Sequence, residues 1–463
     1  MFVGRREEWK ELSRYFNADR SHFIALHGRR RVGKTFLIRS YFNNQFTFYC
    51  TGLLNGKKAQ QLYNFLSPIR SQFDIEETQE IDTWYDAFNL LIAVLKRQNE
   101  GKKVIFLDEL PWMDTQGSDL LLGIEYFWNS WASARNDILL IVCGSSSSWM
   151  ISKIFKNTGG LYNRVTGRIK VNPFTLVEVE EFFNSRNMHY SREQCIEAYM
   201  VFGGIPYYLD QFVAGYSPSQ NIDSLCFGEN AKFVNEFELL FKSLFNQYQT
   251  YIEVVKAIAR KNKGLTREEI SSETKLANGG NLTKVINHLE QSNFIRKYNF
   301  IGKKSKQSIY QLIDPYCLFV INMDSFMSTE NYWLENLNTP KYHNWSGYAF
   351  EIVCLNHLNK IKNALGIAGV STNVSTWSNA NAQIDLIIER ADKVVNLVDI
   401  KYAKTPFVIT KKYDLDLRNK EAQIRTLIPV KSTIWPVIVA PYGLAQTPYK
   451  HYFLREITTE ELF

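Results

Sequence analysis

No two of the six cysteines form a CxxC pair; Cys50, Cys143, Cys195, Cys226, Cys317 and Cys354 are scattered. That spacing disfavours a zinc centre. Thiols set in apolar runs such as Ile138 to Cys143 read as buried and free, in a reducing compartment. No apolar run approaches the roughly 18 residues that a membrane-spanning helix needs. The first residues, Met1-Phe2-Val3-Gly4-Arg5-Arg6-Glu7-Glu8, are charged where a secretory leader would be apolar. A cytoplasmic protein without a membrane segment is therefore expected. A large excess of one charge is also missing: 54 Lys and Arg against 47 Asp and Glu leave +7, compatible with nucleic acid without requiring it. With 463 residues, 45% hydrophobic and 22% charged, the chain is too long for one core, and two to four globular domains are expected.

The most informative motif that is present is the octet Gly28-Arg29-Arg30-Arg31-Val32-Gly33-Lys34-Thr35. It follows an apolar run, His22 to His27, and opens a helix expected over 36–42. This is G-x-x-x-x-G-K-[ST] in its strand–loop–helix setting, which predicts a bound nucleoside triphosphate. The glycines let successive N–H groups turn toward phosphates, and the helix N-terminus adds partial positive charge. Lys34 can reach the β- and γ-phosphates, and the Thr35 hydroxyl can ligate magnesium.

From about 22 to 150, β-type runs at 22–27, 45–50, 103–108 and 138–143 alternate with helical spacing at 57–73, 84–97 and 120–133. That alternation predicts a parallel sheet with helices on both faces and the ligand at the strands' carboxyl ends. The run Lys103 to Leu107 ends in Asp108-Glu109. Two carboxylates there are costly unless a cation or a reaction uses them. Asp108 suits a magnesium ligand, and Glu109 the base that polarises the attacking water. Ile141-Val142-Cys143-Gly144-Ser145 ends a further strand, and Ser145 could orient that water or cap a helix. Arg168, after Gly167, reads either as an arginine finger, in cis or from a neighbouring copy in a homo-oligomer, or as a surface ion-pair residue. Gly203-Gly204-Ile205-Pro206 forces a break between helices.

These boxes together resemble the archaeal-type P-loop ATPases near the STAND and AAA+ groups. Phe2-Val3-Gly4-Arg5-Arg6-Glu7 looks like the family's N-terminal box, which the resemblance places, with Arg5, beside the adenine. Gly203-Gly204-Ile205-Pro206 resembles the GxP motif, implying that Pro206 contacts the nucleotide. No arginine follows where an AAA+ second sensor would sit, which favours a switch-like ATPase.

Residues 249–312 carry 12 Lys and Arg against 5 Asp and Glu, so the chain's whole net charge of +7 falls in this segment. A helix over 251–260, a short one from Thr266, the turn Asn278-Gly279-Gly280 and a candidate recognition helix over 281–291 precede strands at 294–300 and 308–313. The order is that of a winged helix, with Lys303, Lys304 and Lys306 at the wing tip. It reads as a DNA-contacting surface or as an internal lever on the nucleotide domain.

After a helix over 344–360, Gln383-Ile384-Asp385-Leu386-Ile387-Ile388-Glu389 and Val394 to Lys401 form a hairpin. Asp385 and Asp399-x-Lys401 can converge there, because residues two apart on a strand share a face. Two converging carboxylates call for a divalent cation, a nearby lysine can position a water, and Glu351 could complete the metal site. These residues resemble the PD-(D/E)XK nuclease-like superfamily, with Ile384 in place of proline. Active and inactive versions of that fold both remain open.

The expectation is thus an α/β multidomain chain: an ASCE-type P-loop core over 1–170, a helical lid-like subdomain over 171–245, a winged helix over 246–313 and a nuclease-like module over 330–463. Its expected function is ATP binding and hydrolysis with magnesium, with DNA binding and a candidate metal-dependent nuclease. The alternative is a STAND-like nucleotide-dependent switch whose inactive nuclease-like domain binds DNA or protein.

Overall fold

A computed structural model describes residues 3–73, 81–98, 101–156, 159–301, 308–323, 329–378 and 383–463. The chain divides into two units, residues 2–173 and 174–463.

The first unit is built on five parallel strands: β1 (His22–His27), β2 (Phe48–Thr51), β3 (Lys103–Asp108), β4 (Ile138–Gly144) and β5 (Gly167–Lys170). Their order is β2-β3-β4-β1-β5. Strands β3 and β4 are buried at every position, so both faces of the sheet are covered, as parallel sheets require. The helices Lys58–Phe73, Trp84–Lys96 and Leu120–Ser130 fall where the apolar spacing places them. They pack through a run of aromatic contacts from Phe48 to Phe65, Trp84, Phe88 and Phe127. The opening helix Arg6–Phe16 lay outside the alternation read from the sequence, as did β5, whose alternating burial turns Gly167 and Ile169 inward and so leaves a single inward side chain.

Among the described residues the second unit holds eight strands, β6 (Leu265–Thr266), β7 (Ile295–Phe300), β8 (Ile309–Leu312), β9 (Thr372–Ser378), β10 (Gln383–Arg390), β11 (Val394–Ile400), β12 (Thr433–Val439) and β13 (Arg455–Ile457). They form one mixed sheet in the order β13-β12-β11-β10-β9-β7-β8-β6. The helices Tyr248–Ala259, Arg267–Thr274 and Gly280–Gln291 precede the antiparallel hairpin β7–β8, and β6 adds a third short strand to it. The segments expected as separate modules at 246–313 and 330–463 share this sheet, because β7 pairs in parallel with β9 at Asn299–Ser375 and Phe300–Thr376. An open sheet edge offers unpaired N–H and C=O groups, and here the hairpin takes them. The expected wing tip, Lys303, Lys304 and Lys306, lies outside the described residues.

The turn at Gly203-Gly204 is set by packing. Gly204 has φ 66°, its carbonyl accepts from Phe174 N–H at 2.7 Å, and a Cβ there would lie 2.3 Å from the Phe174 carbonyl oxygen. Pro206 then opens the short helix Pro206–Leu209. Nearby, His357 is buried, with Nδ1 at 2.8 Å from the Val353 carbonyl and Nε2 accepting from Leu176 N–H at 3.0 Å. One ring nitrogen must donate and the other accept, which fits only the neutral imidazole. Burial pushes its pKa down to about 4.

The sign of the resulting pH dependence follows from the depressed value. The unfolded chain takes up a proton as pH falls through about 6.5, while the native state refuses it until about 4. Stability from this site is complete above about pH 6.5 and is lost between about 6.5 and 4. The His357 ring proton resonances should therefore stay unshifted from pH 8 to 5; a midpoint near 6.5 would contradict the assigned tautomer.

Candidate active site

The octet Gly28–Thr35 links the tip of β1 to the helix Lys34–Tyr41. Its path is dictated by contacts that leave no room for side chains. A Cβ on Gly28 would lie 2.2 Å from the Val171 carbonyl oxygen, and the loop then passes through left-handed backbone at Arg31 (φ 72°) and Gly33 (φ 87°). Val32 is fully buried and anchors the loop. Arg5, also buried, donates to the Val32 carbonyl at 2.7 Å and to the Asn172 carbonyl at 2.5 Å. Arg5 thus holds the loop at its centre. Arg29 is buried, and the Arg30 guanidinium lies 5.6 Å from the Trp112 ring centre. The Lys34 ammonium curls back onto the carbonyls of Gly28 and Arg29, at 3.1 and 3.0 Å.

Three strand tips meet beside this loop. The Thr35 hydroxyl donates to Asp108 Oδ2 at 2.7 Å across 73 residues of sequence. Burial pushes the Asp108 carboxyl above its usual range, and the Thr35 hydrogen bond pulls it part of the way back. Glu109, one residue on, sits in left-handed backbone (φ 47°, ψ 46°), which a non-glycine residue adopts at a cost of roughly 1–3 kcal/mol. Both of its carboxylate oxygens are held by Ser145, which donates its hydroxyl to Oε1 at 2.5 Å and its N–H to Oε2 at 3.1 Å. Ser145 therefore does not cap a helix; Ser146 occupies the position before Ser147–Trp149. Burial lowers the pKa of His27, at the β1 tip, to about 4, and Lys170, Lys34 and Arg168 add to the shift. Those three cations make this end of the sheet electropositive, as a phosphate site needs. Arg168 itself is exposed on β5 and rests on Phe155, its guanidinium 4.8 Å from the ring centre. Pro206 belongs to the second unit.

One positioning residue gave no signal in the sequence. Gln61, fully buried, donates to the carbonyls of Leu53 and Trp112 at 2.6 and 3.0 Å and accepts from Leu53 N–H at 3.0 Å. It ties the loop after β2 to the turn after β3, and a glutamine on an amphipathic helix reads as a surface residue.

In the second unit, Asp385, Lys401 and Glu351 line a cleft of about 350 Å3, and Asp399 pairs with Lys401 beside it. Asp385 sits where the β9–β10 register shifts, between Ile384 and Ile387; such a bulge re-aims a side chain. Its Oδ2 accepts from Ile400 N–H at 3.1 Å. Lys401 lies 3.1 Å from Asp399 Oδ2 and 3.9 Å from Asp385 Oδ2. Burial, then the Asp385 charge, holds the Glu351 carboxyl well above its usual range. The metal set expected from Glu351, Asp385 and Asp399 is not assembled: among the described residues no three His, Cys, Asp or Glu side chains close into an ion cage. Lysine supplies the compensating charge instead. Asp399 pairs with Lys401, with Lys420 at 3.1 Å on its other oxygen, and with the Tyr413 hydroxyl. Tyr413 and Lys420 escaped the sequence reading, although their spacing of seven puts them on one face of the helix Lys411–Arg425.

The Gly28 contact makes a direct prediction. Gly28→Ala should lower the thermal midpoint of the protein by several degrees and remove nucleotide binding, because backbone on both sides must shift. A variant with unchanged melting and affinity would show that the loop path is different.

A family model described as an ATPase domain predominantly from Archaea matches residues 2–212. A second, described as Archaea bacterial proteins of unknown function, matches residues 316–422. The chain is similar to an uncharacterized protein of Methanocaldococcus jannaschii, 25% identical over 433 residues that cover 91% of this chain and 92% of that one. An uncharacterized ATP-binding protein of the same organism is 49% identical over 45 residues, 10% of this chain and 76% of the relative. Among solved structures, the Walker-type ATPase of Pyrococcus abyssi aligns with 69% of this chain and 96% of its own, at 18% identity and a TM-score of 0.46. Residues 2–212 thus match an ATPase domain found predominantly in Archaea, and residues 316–422 match the second family.

Proposed function

We propose that the first unit binds ATP with magnesium and hydrolyses it. The observation that carries this reading is the 2.7 Å hydrogen bond between Thr35 and Asp108, which brings a phosphate-loop hydroxyl and a strand-tip carboxylate to one point. That pair of oxygens fits a magnesium ion, which when bound neutralises phosphate charge. Lys34 exchanges the Gly28 and Arg29 carbonyls for the β- and γ-phosphates. Glu109 takes the proton of the attacking water, and Ser145 fixes the carboxylate's direction. Arg168 leaves Phe155 to meet charge developing on the γ-phosphate, in its own chain or in the next copy of a homo-oligomer.

Lys34→Ala should abolish ATP binding in calorimetry. Glu109→Gln should keep ATP bound and stop turnover, because the amide accepts no proton. Unchanged affinity in the first variant, or wild-type turnover in the second, would sink the reading.

The second unit reads as the arm that engages DNA under the control of the nucleotide state. Its support is the element order: helix, short strand, two helices and a hairpin over 248–312, as in a winged helix, with the whole net charge of the chain. A helix bearing Glu351, the hairpin with Asp385 and Asp399-x-Lys401, and the helix Lys411–Arg425 follow in the order of a nuclease-like fold. Because lysines and a tyrosine occupy Asp399, strand binding is favoured over cleavage. Replacing Lys303, Lys304 and Lys306 with Ala should weaken duplex DNA binding and lower the slope of log K against log salt by up to about three units. A salt-independent affinity in the wild type would make the helical module an internal lever.

A further inference from the structure

Asn262 is the one residue lining the Asp385–Lys401 cleft that comes from the helical module, and the loop it belongs to is basic. Arg260, Lys261 and Lys263 flank it, three cations in four residues, all exposed. None of the three makes an ion pair among the described residues, in contrast to the internal pairs of Lys401 and Lys420. The loop is also held in place. Gly264 N–H closes a turn onto the Lys261 carbonyl at 2.8 Å, and Gln311 on β8 donates to the Asn262 carbonyl at 3.0 Å. Since β7 bonds to both β8 and β9, the loop and the cleft belong to one continuous sheet. Free cations on a fixed support lose little entropy on meeting an anion, which favours binding there over binding on a floppy lysine tail.

The cleft itself is mixed in charge. Lys401 and Lys420 stand within it with the carboxylates of Glu351, Asp385 and Asp416 and the amides of Gln383, Asn419 and Asn262, so the attraction for phosphates comes from the loop. A volume of about 350 Å3 lies at the lower end of the range for small-ligand sites and admits a single nucleotide unit, not a base pair.

We infer that the 260–263 loop and the cleft form one site for a nucleic-acid single strand, resting on the DNA-engaging reading of the second unit. Successive phosphates lie along Arg260, Lys261 and Lys263, and one nucleotide enters the cleft, where the amides face its base or sugar and Lys401 and Lys420 offset the surrounding carboxylates. A cleft that admits one nucleotide unit excludes a base pair. Single strands in which every base has a free edge therefore suit it better than paired ones.

The full chain, titrated with a fluorescein-labelled 20-nucleotide oligothymidylate at several salt concentrations, tests the site. The Arg260→Ala/Lys261→Ala/Lys263→Ala variant should bind at least tenfold more weakly and lose up to about two units of salt slope, while Lys303→Ala/Lys304→Ala/Lys306→Ala should lose less. All six native cysteines are buried, so Asn262→Cys can be labelled selectively with a fluorophore. Its emission should change on adding the single strand, and Lys420→Ala should diminish that change. Full affinity in the loop variant, with binding lost in the wing variant, would overturn the site while leaving the DNA reading intact. No binding of single or duplex DNA by the wild type would overturn both.

Discussion

The hydrogen bond from Thr35 to Asp108 depends on the order of strands more than on either residue. In the order β2-β3-β4-β1-β5, one strand separates the loop-bearing β1 from the acid-bearing β3. The gap that results at the sheet edge is bridged from both sides. Thr35 reaches across to Asp108, and Ser145, at the end of the intervening β4, reaches to Glu109. Were β1 and β3 adjacent, Ser145 would have no place between them. Three strand tips and a loop therefore specify the geometry, and the buried faces of β3 and β4 keep those tips in register.

Burial and charge work against each other at both clusters, with different outcomes. In the first unit the carboxylates are balanced by hydroxyls and an N–H, which orient them without neutralising them. Asp108 is accordingly pushed up by burial. In the second unit Asp399 is balanced by two ammonium groups and a phenol, and on Lys401 the nearby Asp399 and Asp385 charges outweigh burial and keep it protonated. A partly compensated carboxylate pair invites a cation, whereas a carboxylate already closed by lysines has less need of one. The same element order can thus carry a strand-binding site in place of a cutting one.

Much of the first unit was legible because its signals are local. The run 22–27 and the octet after it, the Asp108-Glu109 tip and the three amphipathic helices are each written within a dozen residues. Strand β5 was not, since four residues with one inward side chain, that of Ile169, give no periodicity. Nor was the left-handed backbone at Glu109, which is imposed by tertiary contacts and not by its residue type. In the second unit, Asp385 and Asp399 were found from strand spacing, but Lys420 and Tyr413 were not. They come from a helix ten residues beyond the hairpin, and which face of that helix meets it is decided by packing. The joining of β7 to β9 was equally silent, because nothing in either strand names its partner across 70 residues.

The account stands or falls on whether Thr35 and Asp108 mark the cation position of a bound nucleotide. A crystal grown with a non-hydrolysable ATP analogue and manganese tests this directly, through the anomalous signal of the metal. The account predicts a single strong peak in contact with the Thr35 hydroxyl, on the Asp108 side, with the Lys34 ammonium moved from the Gly28 carbonyl to the phosphates. Nucleotide density with manganese away from both residues, or Lys34 still on the loop carbonyls, would contradict it.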